Sequence, residues 1–379
     1  MASSSKILSL NGKGLKLDTR ADVEPWIKEI DPATIEEIHL GGNTIGVDAS
    51  TALAEFLAKA TNLKALSVIC DALKDKTSLV ELNLSDNAFG GRSVDPMVPF
   101  LTHNRSFQVL KLNNNGLGPA GGVVLANALL ESAKLSKAEG KKSNLRTVIC
   151  GRNRLENGSA PSWADAFAAH ESLVEIRMPQ NGIRMEGITA LAKGLSKCTG
   201  LRYIDLQDNT FTEDGATTGL EAWTEALPSW PELHTLNLSD CVLSTNGELP
   251  VLITALSTGS NSKLHTLQLQ NNNLDGKSFS LLAKEISTSL ATLMRLELQY
   301  NDGEEDDEHL ETLAMSLKQR GGKLFATDDD EEEEEEEEKE TEEETGGAKL
   351  KVEETKPSLV DKAADALADL LGKVDIRSN

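Results

Sequence analysis

Nowhere in the 379 residues do about 18 apolar side chains run together, so no segment is suited to crossing a bilayer. Basic stretches are also scarce. The formal charge is −23, and no region gathers the lysine and arginine needed to displace counterions from a nucleic acid. Nucleic acid is therefore not an expected partner. The four cysteines, Cys70, Cys150, Cys198 and Cys241, have spacings that fit neither a disulfide framework nor a metal pair. The six histidines, at 39, 103, 170, 234, 265 and 309, are scattered. No nucleophile stands beside a base, and Gly116–Gly121 imitates a phosphate loop without its lysine. No apolar signal-type run follows Met1, so the expected setting is cytoplasmic, with no metal and no cofactor of the chain's own. What remains is a binding scaffold.

What is present is a repeat. The pattern leucine–x–leucine–x–x–asparagine–x–leucine reads clearly at Ile38–Ile45, Leu82–Phe89, Leu110–Leu117, Val148–Leu155, Ile176–Ile183 and Ile204–Phe211. It begins again at Leu236, Leu267 and Leu296, and more weakly at Leu8 and Leu66. The second leucine position falls at 10, 40, 68, 84, 112, 150, 178, 206, 238, 269 and 298. A period near 28 is that of a long leucine-rich repeat, giving an α/β solenoid with parallel strands on a concave face and helices on the convex face. Segments 49–60 and 188–197 show the helical period. Cys150 takes a strand leucine position and Cys241 an asparagine position, as small buried residues.

Two steps break the period. Between Leu112 and Cys150 lies a lysine-rich insertion, Ser132–Asn144, expected as a longer helix or a convex-side loop. Between Val68 and Leu84 only 16 residues remain, too few for a full helix, so that the repeat near 69–80 reads as truncated. Residues 1–325 thus form one leucine-rich-repeat domain of about eleven repeats. Its closing helix is expected over Glu304–Arg320, with Leu310, Leu313, Met315 and Leu317 as the apolar set. Residues 326–356 are an acidic tail, with 17 acids and 4 bases among positions 328–356, and expected to be disordered. Residues 357–379 have the pattern of a short C-terminal helix.

In each repeat the two residues after the second strand leucine should leave the strand at its C-terminal rim. These pairs include Ser85/Asp86, Asn113/Asn114, Gly151/Arg152, Gln207/Asp208 and Ser239/Asp240, a polar and acidic rim suited to a basic partner.

Several runs resemble the repeats of the Ran GTPase-activating proteins: Leu84–Gly90 (LSDNAFG), Asn113–Pro119 (NNNGLGP), Ile149–Ser159 (ICGRNRLENGS) and Leu206–Thr212 (LQDNTFT). Gly41–Gly46 and Gln180–Arg184 fit as well, and the likeness covers residues 6–320. The acidic tail matches the fungal and animal members. The resemblance implies a crescent that binds Ran in its GTP form and speeds hydrolysis in nucleocytoplasmic transport, from a cytoplasmic, perinuclear location. Ran-binding protein domains are further implied partners. GTP and magnesium would be held by the GTPase, and an asparagine of the activator would orient Ran's own glutamine. That asparagine aligns with Asn114. Arg154 and Asp208 fall on family interface positions, with Arg152 and Asp240 as weaker candidates. Asn115, by contrast, is a buried ladder residue. The family's arginine-bearing turn after the third strand has no counterpart in Ser67–Lys76, and Lys74 or Lys76 cannot replace a planar guanidinium. The alternative from another class is a non-catalytic repeat scaffold, including one that binds Ran without activating it. A fragment of an innate-immune repeat receptor is a third reading, for which the chain lacks a nucleotide-binding module.

Overall fold

The computed structural model describes residues 7–10, 12–32, 37–39, 43–46, 48, 49, 52, 53, 56, 65, 66, 79–87, 90, 91, 94–245, 247–302 and 308–327. In chain order the elements begin β1 (Ile7–Ser9), β2 (Lys16–Leu17), α1 (Arg20–Ile27), β3 (Glu37–His39), β4 (Thr44–Ile45), β5 (Ala65–Leu66) and β6 (Glu81–Asn83). They continue with α2 (Val98–His103), β7 (Val109–Lys111), α3 (Gly118–Ala138), β8 (Thr147–Ile149), α4 (Glu156–His170), β9 (Glu175–Arg177), α5 (Met185–Leu195) and β10 (Tyr203–Asp205). The last are α6 (Thr218–Ala226), β11 (Thr235–Asn237), α7 (Val251–Leu256), β12 (Thr266–Gln268), α8 (Gly276–Glu285), β13 (Arg295–Glu297), α9 (Glu308–Gln319) and β14 (Lys323–Phe325). Among the described residues twelve strands form one parallel sheet in sequence order, and β2 and β4 pair separately.

The strand register reproduces the leucine spacing. Each strand lies beside the next with its central apolar residue matched, as in Leu82 to Leu110, Leu110 to Val148 and Val148 to Ile176. Leu82, Leu110, Val148 and Ile176 are buried, while the helices stack consecutively behind the strands, α2 on α3 through α8 on α9. A helix with one apolar face cannot bury it alone, so the stack forms a single continuous core. Tryptophans fasten neighbouring helices: Trp223 Nε1 donates to the Ile188 carbonyl at 3.1 Å, and Trp230 Nε1 to the Leu195 carbonyl at 2.9 Å. At Gly194, any Cβ would sit 2.6 Å from the Ala164 Cα, so α4 and α5 touch backbone to backbone there.

The asparagines form the predicted ladder. Asn115 Nδ2 donates to the carbonyls of Leu84 and Leu112, and its Oδ1 accepts the Asn87 N–H at 3.0 Å. Asn153 repeats this on Asn115 N and Leu112 O, and Asn181 on Asn153 N and Cys150 O. Cys241 stands in the same slot with weaker chemistry, its Sγ 3.3 Å from the carbonyls of Leu206 and Ser239. Cys241→Asn is therefore expected to raise stability by about 1 kcal/mol, because an amide supplies a full donor and an oxygen acceptor where a thiol gives weak ones. A urea melt checks this; a lower midpoint would mean that the slot is too small.

The insertion lengthens α3 to 21 residues, against 15 in α4. Its last turns are not a purely solvated face, since Ser132 and Ser136 are buried. The stretch 49–60 is helical where described, at 49, 52, 53 and 56. Strands β5 and β6 are direct neighbours, Leu66 beside Leu82, so the 16-residue step keeps sheet register. The connecting residues 67–78 lie outside the described residues, as do the acidic tail from 328 and the expected C-terminal helix. Two expectations need correction. The sheet has a twelfth strand among the described residues, β14, which like the repeat of Cys241 lacks the asparagine that marks most repeats. Met315 is 58% exposed, because it lies roughly 200° around α9 from both Leu313 and Leu317, which are buried.

His170 ends α4 buried between two repeats. Its Nε2 donates to the Leu129 carbonyl at 3.0 Å, and its Nδ1 lies 2.6 Å from Ser143 Oγ. A carbonyl can only accept, so Nε2 carries a proton in that bond. Burial holds its pKa down at about 4, below the ordinary 6.5. The unfolded chain therefore takes up a proton near pH 6.5 that the folded chain refuses until about pH 4. Stability from this group is complete above that window and is lost as pH falls through it, by roughly 3 kcal/mol in all. Urea unfolding at pH 7 and pH 5 is expected to show a smaller difference in His170→Gln than in the native chain.

Candidate functional site

The C-terminal ends of the strands carry a row of residues with left-handed backbone: Asp86, Asn114, Arg152, Gln180, Asp208, Asp240, Asn271 and Tyr300, with φ between 49° and 61°. Such angles are uncommon for residues other than glycine. Here they are held by a second ladder of backbone bonds. Asp86 N donates to Asn113 O, Asn114 N to Gly151 O, Arg152 N to Pro179 O and Gln180 N to Gln207 O. Asp208, Asp240 and Asn271 continue in the same way onto Ser239, Gln270 and Gln299. Each N–H satisfied one repeat along fixes the turn, and the turn throws the side chain outward.

This geometry divides the rim pairs. The second member is exposed in Asp86, Asn114, Arg152, Gln180, Asp208, Asn271 and Tyr300, and half-buried in Asp240. The first member is not free as expected: Gly151, Ser239 and Gln299 are buried, and Asn113 is tied down by its Oδ1, which accepts the Gly151 N–H at 2.6 Å. The expected pair Gly41/Gly42 lies outside the described residues.

The five sequence-predicted site residues all reach this edge. Asn114 is exposed, and its Nδ2 donates to Asp86 Oδ1 at 3.1 Å. The next residue, Asn115, is fully buried in the inner ladder. Arg152 is exposed on the adjoining rung, and Arg154 is exposed two residues later at φ 53°, so one loop presents two guanidinium groups. Asp208 stands exposed two rungs beyond Arg152. Asp240 is bound on both sides, accepting from Gln207 Nε2 at 3.2 Å and Asn271 Nδ2 at 2.6 Å. Asp86 and Asn271, read from the sequence only as rim residues, are hydrogen-bonded to Asn114 and Asp240 respectively. The signal for Asp86 was available, since 28 residues, one repeat, separate it from Asn114.

The helix-free face of the sheet offers chemistry of a different kind. Lys111 pairs with Glu81 at 2.8 Å, and Arg177 pairs with Glu175 at 2.5 Å while its guanidinium lies 4.0 Å over the Tyr203 ring. Burial raises the Asp205 carboxyl above the ordinary carboxylate range. These groups satisfy each other and leave no base beside a nucleophile. Burial also pushes the Cys150 and Cys198 thiols up to about 12, and that of Cys241 upward, which makes them inert packing residues. Among the described residues no group of three or more His, Cys, Asp or Glu side chains is placed to hold a metal ion.

A family model described as Leucine Rich repeat matches residues 75–97 and 103–126. Ran GTPase-activating protein 1 of Saccharomyces cerevisiae is 35% identical over 336 residues, covering 81% of this chain and 81% of that protein. This chain belongs to the Ran GTPase-activating protein family. The family member from Xenopus laevis is 42% identical over 198 residues, 46% of this chain and 34% of that longer protein. The ribonuclease inhibitor of Sus scrofa shares the repeat frame at 26% identity over 297 residues, 77% of this chain and 57% of the inhibitor. The yeast comparison spans 336 positions, whereas 81% of 379 residues is roughly 307, so that family member carries residues without a counterpart here.

Proposed function

We propose that this chain is a GTPase-activating protein for Ran, binding the GTP form along its left-handed rim and placing Ran's own catalytic glutamine with the Asn114 amide. The single observation that carries the role of Asn114 is its environment. It is an exposed amide on a rung fixed by backbone bonds on both sides, next to an asparagine wholly occupied inside. GTP hydrolysis needs an in-line water and stabilised charge on the transferring phosphoryl group, and both are available within a GTPase that is held in one arrangement. Nucleotide and magnesium belong to the partner in this reading. Asp208 and Asp240 would meet basic side chains of the partner, and Arg152 and Arg154 acidic ones. Single-turnover hydrolysis of Ran·GTP, with and without the chain, is the test. Acceleration of several orders of magnitude is expected; unchanged hydrolysis at saturating chain would sink the reading.

A second reading, binding without activation, is favoured by the 16-residue step between β5 and β6. The family's arginine-bearing turn would fall there. If the chain binds Ran·GTP yet leaves hydrolysis slow, inserting that turn after Val68 should restore acceleration. If insertion restores nothing, the short step is not the cause.

A further inference from the structure

Asn114 and Asp86 occupy equivalent positions in successive repeats. Both backbones are left-handed, at φ 52° and 61°, and both donate their N–H to the following repeat, so the two side chains leave the rim side by side. The Asn114 carboxamide can take two orientations, related by a half-turn about its last bond. In the one observed, Nδ2 donates to Asp86 Oδ1 at 3.1 Å. In the other, the amide oxygen would face the carboxylate, acceptor against acceptor. The carboxylate therefore selects one orientation, which directs Oδ1 of Asn114 and its second N–H away from Asp86.

The pairing recurs on this rim. The eight left-handed rungs include two asparagines, Asn114 and Asn271, and each stands one repeat after an aspartate. Asn271 Nδ2 donates to Asp240 Oδ1 at 2.6 Å, the same bond in the same sense. An aspartate preceding an asparagine is thus a local device for orienting an exposed amide.

We infer that Asp86 is a positioning residue for the reaction: by holding Nδ2 of Asn114, it presents Oδ1 to accept an N–H from the glutamine carboxamide of the GTPase. This rests on the function proposed above. Asp86 touches neither nucleotide nor water in this account and acts only through Asn114.

The test is a double-mutant cycle in single-turnover hydrolysis of Ran·GTP, using the full chain. Asp86→Gly removes the carboxylate and keeps a residue at ease with positive φ. It is expected to slow hydrolysis about tenfold at saturating chain while Ran·GTP affinity stays within twofold. Asp86→Asn, which retains a carbonyl acceptor, should recover most of the rate. In an Asn114→Gly background, Asp86→Gly should add nothing, because its effect passes through the missing amide. A native rate for Asp86→Gly, or full additivity in the double variant, overturns the inference while leaving the function standing. A native rate for Asn114→Gly overturns the role of Asn114 and the inference with it. A readout without turnover is the side-chain amide resonance of Asn114 in protein labelled with 15N-asparagine. It should move on Asp86→Gly, and a resonance that stays in place overturns the inference even if the chain proves inactive toward Ran.

Discussion

Asn115→Ala is expected to lower the unfolding free energy by about 3–5 kcal/mol, while its neighbour Asn114 tolerates the same change with little loss. The Asn115 side chain is fully buried and makes four bonds. Its Oδ1 takes the Asn87 N–H, and its Nδ2 serves the carbonyls of Leu84, Leu112 and Asn113. Alanine strands these groups in a region that water does not reach, and each buried unsatisfied group costs about 1–3 kcal/mol. The damage falls between two repeats, so the unfolding transition should broaden as the repeats of β6 and β7 uncouple. Asn115→Asp sharpens the test. The carboxylate has the same shape and can still accept from Asn87, yet it cannot donate and sets negative charge against carbonyl oxygens. It should be at least as damaging as alanine at neutral pH. A chemical-denaturation curve within about 1 kcal/mol of native for either variant would show that the ladder does not carry this energy.

That contrast between neighbours was legible in the amino-acid sequence because the repeat supplies a phase. Counting from Leu112 puts Asn115 on the inner ladder and Asn114 on the rim, and the same count placed Cys150 and Cys241 correctly. Strand register follows for the same reason, even across the irregular steps, since parallel strands must match their inward apolar residues. What the pattern does not carry is whatever depends on rotamer or on local hydrogen bonding. Residues such as Arg152 and Gln180 have no intrinsic preference for a left-handed backbone; the neighbouring repeat imposes it through a carbonyl. That imposed turn is why the second residue of the described rim pairs is the more exposed one. The bond from Asn114 to Asp86 needed both the period and the turn geometry before it could be seen. Strand β14 escaped notice because no asparagine follows Leu324 at the repeat spacing, so the pattern that marks most other strands is absent from its sequence.

Asn114→Ala is expected to slow the proposed Ran·GTP hydrolysis by about 10²-fold at saturating chain, with affinity changed less than threefold, as for loss of one preorganised polar group at a reacting centre. The split follows from where the side chain stands. Its backbone stays anchored to Gly151 by the main chain, and the exposed amide shields no apolar surface, so its removal costs orientation of the partner's glutamine rather than contact area. Alanine at φ 52° also strains the turn by about 1 kcal/mol, an effect that Asn114→Gly removes. The two variants should therefore differ slightly in melting temperature and agree in rate. Changes at Asp208 or Asp240 should give the reverse split. In the proposed function those carboxylates meet the partner as charges, so loss of either should weaken binding, most of all at low salt, and leave the saturated rate near native. If Asn114→Gly instead weakens binding and keeps the saturated rate, the amide is an ordinary contact, and the glutamine must be placed by another residue of the rim.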